Sequence, residues 1–160
     1  MYLERSGMES LHPRIMIAWI LQAIIFSLIL GAIAATVDQF VLEIGLVVPV
    51  GVFGMVATLL TIHAILRYRI WRFEIREDEL YLERGVITRV KTVVPYVRIQ
   101  HVDSRRGPIE RLLRLASTVV YTAGSRGADV LVPGLRPERS EELQQELKRL
   151  AIDSEGEDAV

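Results

Sequence analysis

Arginine is the residue type with the clearest chemical meaning between positions 98 and 114 of this 160-residue chain. Its planar guanidinium stays protonated and donates paired hydrogen bonds to carboxylates and phosphates, so clustered arginines are typical of anion recognition. A smaller polar group lies a few residues before the arginine cluster. Together these are the candidate residues of a binding surface: Arg98, Gln100, His101, Arg105, Arg106, Arg111 and Arg114.

Each group also has a structural interpretation. Arg98 and Gln100 either recognise a partner or form hydrogen bonds across a sheet. The arginines of 105–114 either contact anionic lipid headgroups, at about 1 kcal/mol each near a membrane surface, or form a solvated face that is paired with Asp103 and Glu110. The residue types leave both interpretations open.

The sequence contains no motif for catalysis, metal binding or cofactor binding. The sequence has no cysteine, which excludes thiolate metal sites and a cysteine nucleophile, and its three histidines have no metal-ligand spacing. The glycine-rich, nucleophile-elbow and zinc-protease motifs are also missing. Binding of single-stranded nucleic acid needs stacking aromatics beside the basic face, and only Tyr96 and Tyr121 lie near the arginines. We therefore predict no catalytic residues, no cofactor, no metal and no nucleic-acid partner.

Two apolar stretches precede the arginines and predict membrane spans. Residues 15–37 contain no charged side chain, and neither do residues 44–66. About 20 apolar residues cross a hydrocarbon core of roughly 30 Å. The short connection over 38–43 makes the two spans antiparallel. The sequence thus predicts a transmembrane hairpin over 15–66.

Positive charge predicts the orientation of this hairpin. The connection between the spans has no lysine or arginine, whereas basic residues flank the outer ends of both spans. Because basic loops stay cytoplasmic, we expect the segment 1–14, the domain that follows the spans and the C-terminus to be cytoplasmic. The flanking residues are Arg14, Arg67, Arg69 and Arg72.

Small residues recur on each predicted span at a spacing of four. Gly31 with Ala35, and Gly54 with Thr58, each lie on one helix face and allow another helix to approach closely. The pairs therefore serve packing inside the hairpin or contact with a second copy of the chain, which makes a homo-oligomer an expected assembly.

The chain after the spans predicts a sheet and a closing helix. Alternation of apolar and polar residues predicts strands over 67–76, 79–84, 88–94, 97–104, 117–122 and 129–132, with a positive-φ turn at Gly85. A helical turn begins at Pro108, and 123–127 reads as a flexible loop. Residues 137–152 predict an amphipathic helix with the stripe Leu143, Leu147 and Leu150. The acidic residues 153–160 predict a disordered tail.

The stretch 92–124, TVVPYVRIQHVDSRRGPIERLLRLASTVVYTAG, carries a family signature. It resembles the bacterial pleckstrin-homology-like family of membrane proteins (YdbS-like), formerly a domain of unknown function, in which two transmembrane helices come first. The matching residues are Pro95, Arg98, Ile99, Gln100, Val102, Gly107, Pro108, Arg111, Leu115, Ala116, Thr122, Ala123 and Gly124. Arg114 stands where the family usually has glycine, which predicts a different turn after the short helix.

The resemblance implies a fold and a class of function. The fold is a transmembrane α-helical hairpin followed, over 67–152, by an α+β PH-like domain: a bent antiparallel sheet or barrel closed by a C-terminal amphipathic helix. PH-like domains commonly bind proteins or phosphoinositides, and the bacterial members look non-enzymatic. We therefore expect a membrane-anchored module that recruits or assembles protein partners at the cytoplasmic membrane. The alternative is recognition of anionic lipid headgroups through residues 105–114.

Overall fold

The structure is a computed structural model that describes residues 7–42, 44–123 and 129–157. Of the predicted flexible loop over 123–127, the structure describes Ala123 alone; residues 124–127, which include Gly124 of the family signature, lie outside the described residues. The last three residues of the predicted tail, 158–160, lie outside them as well.

The described residues form two compact units. The helical hairpin is Met16–Arg69. The second unit, called the sheet domain below, combines the chain up to Ile15 with the chain from Ile70 onward. The sheet domain is therefore assembled from both sides of the hairpin.

Two long apolar helices make up the hairpin. Helix α1 (Arg14–Val37) and helix α2 (Val47–Ile70) each have 24 residues, or about 36 Å at 1.5 Å per residue. This length exceeds the roughly 30 Å of a hydrocarbon core, and the stretches Arg14–Val41 and Val47–Ile70 are apolar enough to cross a membrane. Both apolar helices that the sequence predicts are present.

The connection between these helices is partly helical. A wide π-helical turn over Asp38–Leu42 continues α1. The Asp38 carboxylate accepts hydrogen bonds from the amides of Ile44 at 3.1 Å and Gly45 at 2.9 Å, and Gly45 has a φ of +93°. The open part of the connection is thus shorter than the predicted 38–43, because Asp38 folds the chain back within a few residues.

The two small-residue pairs differ in their surroundings. A Cβ atom added at Gly31 would lie 3.2 Å from the Cβ of Phe53, so α1 and α2 approach closely at this position. A Cβ added at Gly54 would meet nothing within 4 Å. Gly31 therefore serves packing inside the hairpin, whereas Gly54 lies on an open helix face.

Helix α2 continues four residues beyond its predicted end at Leu66. The predicted strand over 67–76 is correspondingly shorter and covers only Arg72–Ile75. Basic side chains in a last helical turn complement the helix dipole, and the Arg67 guanidinium carbon lies 4.1 Å from the centroid of the Trp19 ring. These two effects favour helix where alternation alone predicted strand.

The described part of the sheet domain contains two antiparallel sheets and two helices. The first sheet has the order β1 (Glu9–Ser10), β2 (Arg72–Ile75), β3 (Glu79–Arg84), β4 (Val90–Pro95), and the second has the order β5 (Ile99–Arg105), β6 (Ala116–Thr122), β7 (Val130–Leu135). A short helix, α3 (Pro108–Leu112), joins β5 to β6, and α4 (Pro137–Glu157) follows β7. The predicted fold class, a hairpin of apolar helices before antiparallel strands and a C-terminal helix, is confirmed.

The core of the sheet domain lies between the strands and α4. Leu80 and Leu82 of β3 are fully buried, as their alternation predicts, and so are Leu143 and Leu147 of α4. The next buried position on this face is Ala151, four residues after Leu147, rather than the predicted Leu150. A helix face recurs after three or four residues, and the spacing of four is the one that stays on the sheet here.

Buried hydroxyl groups fix the first turn of α4. The Ser140 hydroxyl lies 2.8 Å from the hydroxyl oxygens of both Ser104 and Thr118, on β5 and β6. Ser140 and Thr118 are fully buried. These mutual hydrogen bonds satisfy polar groups that would otherwise destabilise the core, and they align α4 along the second sheet.

The residues before α1 belong to the sheet domain. Strand β1 pairs with β2, with Ser10 opposite Arg72, and the amide of His12 donates to the carbonyl of Gly134 at 2.8 Å. Gly134 has a φ of +64°, and a Cβ there would lie 2.5 Å from the Cβ of Ile15. A two-residue strand gives no periodicity, so sequence patterns do not reveal this pairing.

This pairing constrains the topology. The chain before α1 and the chain after α2 lie in one folded unit. If α1 and α2 cross the bilayer, they must therefore cross it as a pair, so that both ends return to the same side.

Helix α4 extends to Glu157 and does not end at Ile152. Residues 153–157, where the sequence predicts disorder, are thus helical. Low apolar content excludes a packed core, but adding a turn to an existing helix costs little because the nucleus is already formed. The Ser154 hydroxyl also donates to the carbonyl of Ala151 at 2.9 Å.

Candidate functional site

The short helix α3 is held by Glu110. This carboxylate accepts a hydrogen bond from the Gly107 amide at 2.7 Å and another from the Ser117 hydroxyl at 2.5 Å. Among the described residues it forms no ion pair with an arginine. Of the two acidic partners in the solvated-face interpretation, Asp103 pairs with Arg105 at 3.7 Å, whereas Glu110 serves the start of its own helix and the following strand.

Arg114 ends α3 in the left-handed backbone conformation. Its φ is +54°, and it is the one non-glycine residue with positive φ among the described residues. The Leu115 amide donates to the Glu110 carbonyl at 2.7 Å, and the Arg114 amide donates to the Arg111 carbonyl at 3.2 Å. These two hydrogen bonds are typical of a helix C-terminus whose positive-φ residue is usually glycine. The expectation that the turn differs here is wrong: the glycine-type backbone is kept, and an arginine occupies it.

A cavity of about 590 Å³ opens beside this turn. Five arginines and two glutamates line it, a formal excess of three positive charges. The lining residues are Arg14, Arg106, Arg111, Arg114, Leu115, Arg136, Pro137, Glu138 and Glu141. We call this feature the arginine cavity.

The arginines of the cavity are only partly neutralised. Arg106 forms an ion pair with Glu141 at 3.1 Å. Arg14 donates to the Leu113 carbonyl at 3.5 Å. Among the described residues, Arg14, Arg111, Arg114 and Arg136 form no ion pair within 4.0 Å. Four guanidinium groups thus retain donors for an anionic ligand.

The pKa of His12 is influenced by two arginines of this cavity. Partial burial lowers the pKa of His12, and the charges of Arg136 and Arg14 lower it further. Its Nδ1 atom accepts the amide proton of Arg14 at 3.2 Å. The imidazole is therefore held neutral beside the cationic groups.

The arginine cavity lies at one particular end of the sheet domain. Ser117, at the start of β6, pairs with Arg105, and Ala116 pairs with Leu135 at the end of β7. Contacts from His12 and Arg14 reach this same end. We call it the attachment end, because it is where the chain leaves for α1.

The predicted binding surface is divided by the structure. Arg106, Arg111 and Arg114 line the arginine cavity, but Arg98, Gln100, His101 and Arg105 do not. Strand β5 advances about 3.3 Å per residue, so its two ends lie about 20 Å apart and cannot share one small ligand.

The excluded residues have other surroundings. Arg105 lies 3.7 Å from Asp103 and donates to the Tyr121 hydroxyl. The Tyr121 ring stacks on His101 with 4.0 Å between centroids. Gln100 and His101 line a second cavity, of about 510 Å³, between β5 and α4. Arg98 is exposed on a 3₁₀ turn and lines neither cavity.

Two arginines of the cavity were not among the candidates. The sequence pattern marks Arg14 only as a flank of the first span, and no local pattern distinguishes Arg136. Arg136 reaches the cavity because Leu135 pairs with Ala116, two residues after Arg114. Such a register depends on tertiary pairing and leaves no local signal.

The chain is similar in sequence to a known protein family and to a named relative. A family described as Bacterial PH domain matches residues 15–151 of the chain. The UPF0699 transmembrane protein YdbS of Bacillus subtilis (strain 168) is 30% identical over 139 residues, which cover 83% of this chain and 86% of that protein. No solved structure matches the chain. Among the described residues, no three His, Asp or Glu side chains converge as metal ligands.

Proposed function

Because the chain belongs to the bacterial PH domain family, we propose that it is a membrane-anchored, non-catalytic module that binds the phosphate of anionic lipid headgroups in its arginine cavity. The observation that carries this proposal is the convergence of five arginines from separate chain segments on one cavity. Guanidinium groups bind phosphate through paired, charge-assisted hydrogen bonds.

The position of the cavity favours a lipid ligand. Arg14 is the first residue of α1 and immediately precedes an apolar stretch. One wall of the cavity is therefore built by the residue at which the chain meets the membrane boundary. An anion held there is in reach of the headgroup layer.

The backbone of Arg114 supports a binding role. A left-handed conformation costs a non-glycine residue roughly 1–2 kcal/mol. Such strained residues cluster at functional sites. Among the described residues, Arg114 is at this cost the fourth arginine of the cavity that forms no ion pair.

The distribution of basic residues supports a cytoplasmic sheet domain. Arg67 and Arg69 lie in the last turn of α2, and Arg14 begins α1. The chain between the spans contains no lysine or arginine. Positive charge retained on the cytoplasmic side would bring the cavity to the anionic inner leaflet.

The test measures stabilisation by lipid. The full chain in uncharged detergent is heated with added phosphatidylglycerol or phosphatidylcholine, because a ligand that binds only the folded state raises the melting temperature. We expect stabilisation by phosphatidylglycerol that weakens with salt. In the double variant Arg111→Gln/Arg114→Gln, loss of about 1 kcal/mol per arginine should weaken binding about 30-fold.

Arg149→Gln is the matched control, because Arg149 is exposed on α4 and lines no wall of the arginine cavity. It should keep the full effect. Equal stabilisation by both lipids, or an unchanged double variant, would refute headgroup binding. Stabilisation by sodium phosphate alone, at the same phosphate concentration, would identify a free anion as the ligand instead.

A second candidate function is recruitment of a protein partner. Strand β4 is the outer strand of the first sheet, and its Val90 and Val93 remain exposed. An extended segment of a partner can add to such an edge. A photoreactive residue at Val93, in native membranes, should then give a discrete protein adduct that is absent when the residue stands at Glu77. Lipid adducts alone would argue against this function.

A further inference from the structure

The turn between β3 and β4 presents an apolar side chain to solvent. Ile87 is 95% exposed, and Arg84 and Arg89 lie on either side of it in the chain. Gly85 has a φ of +101°, and a Cβ there would overlap the carbonyl oxygen of Thr88. The tight backbone therefore defines the turn and fixes Ile87 at its tip.

A second apolar side chain is exposed in the same way on α3. Leu112 is 77% exposed, and it lies in the chain between Arg111 and Arg114. Both positions combine an exposed aliphatic group with flanking arginines. This combination is typical of protein surfaces that lie in the interfacial layer of a bilayer.

Strand register puts both side chains at the attachment end. Arg72 opposes Glu83, and Arg84 opposes Val90, so the turn bearing Ile87 projects beyond the start of β2. That start follows the last residue of α2 by only two positions. Leu112 precedes the residue whose carbonyl accepts the Arg14 hydrogen bond.

We infer that Ile87 and Leu112 are two apolar contacts through which the attachment end enters the interfacial layer of the bilayer that α1 and α2 cross. At these contacts the neighbouring arginines would lie at headgroup depth. This inference goes beyond the proposed function, because insertion of aliphatic groups does not require an occupied cavity.

The experiment uses the absence of cysteine from the chain. Single variants Ile87→Cys, Leu112→Cys and Ile152→Cys of the full protein are labelled with bimane and reconstituted into phosphatidylcholine vesicles. Ile152 is the matched control: it is 58% exposed, and it lies 15 positions after Pro137, the first residue of α4, or about 22 Å along the helix. Quenching by lipids with a shallow nitroxide label reports the depth of each probe.

We expect strong quenching at positions 87 and 112 and weak quenching at 152. Introducing Ile87→Asp into the labelled Leu112→Cys protein should reduce quenching at 112, because the two contacts share one surface. Quenching at 87 or at 112 that is no stronger than at 152 would overturn the inference. If the Arg111→Gln/Arg114→Gln variant contradicted headgroup binding, strong quenching at positions 87 and 112 would still be expected. Either proposal can therefore be refuted without the other.

Discussion

Replacing Arg114 by glycine should stabilise the sheet domain while weakening its binding of anions. Arg114 has a φ of +54° and ends α3 with the two hydrogen bonds that glycine normally accompanies. Relief of the left-handed conformation is worth about 1–2 kcal/mol. Glycine also increases the conformational entropy of the unfolded chain, which lowers the free energy of unfolding by about 0.4–1 kcal/mol. With the middle of each range, the net gain is about 0.8 kcal/mol.

Thermal unfolding can resolve this gain. A change of 1 kcal/mol moves the melting temperature of a domain of this size by about 4–8 °C, so a gain of about 0.8 kcal/mol in Arg114→Gly should raise it by about 3–6 °C. Trp71 is buried in the sheet domain. Its fluorescence, followed in detergent in a Trp19→Phe background, reports the unfolding of this domain alone.

Arg114→Ala separates strain from charge. Alanine removes the guanidinium but keeps a Cβ in the left-handed conformation, so it should gain no stability. Both variants should lose stabilisation by phosphatidylglycerol to the same extent. An Arg114→Gly protein that is no more stable than Arg114→Ala would refute the assignment of backbone strain to this position.

Three further predictions test the hairpin, the cavity and the N-terminal segment. In intact cells a membrane-impermeant thiol reagent should label Gln39→Cys but not Glu77→Cys; the reverse pattern would refute the cytoplasmic placement. Because the pKa of His12 is lowered from 6.5 in the folded state, His12 takes up a proton at a higher pH in the unfolded chain than in the folded chain. Stability should then fall as the pH drops below about 6.5, and less so in His12→Asn; equal pH profiles would contradict this. Gly134→Ala should lower the melting temperature of the sheet domain, since its Cβ would meet Ile15 at a φ of +64°; an unchanged melting temperature would exclude the predicted clash.

Local patterns predicted most of the elements of this fold. Alternation over 79–84 placed Leu80 and Leu82 in the core. Where patterns failed, a tertiary contact or helix propagation prevailed, as in the last turn of α2 beside Trp19 and in residues 153–157 of α4.

Composition by itself determined that this chain has two apolar helices, an arginine-rich sheet domain and no cysteine chemistry, because charge, length and periodicity are properties of the chain alone. Only the tertiary structure decided which arginines share a site. Arg105 is adjacent to Arg106 in sequence yet lies against Tyr121, while Arg14 and Arg136, more than 100 positions apart, line the same cavity. Side chains meet through strand register and the docking of the N-terminal segment, and neither is encoded within a short window of residues.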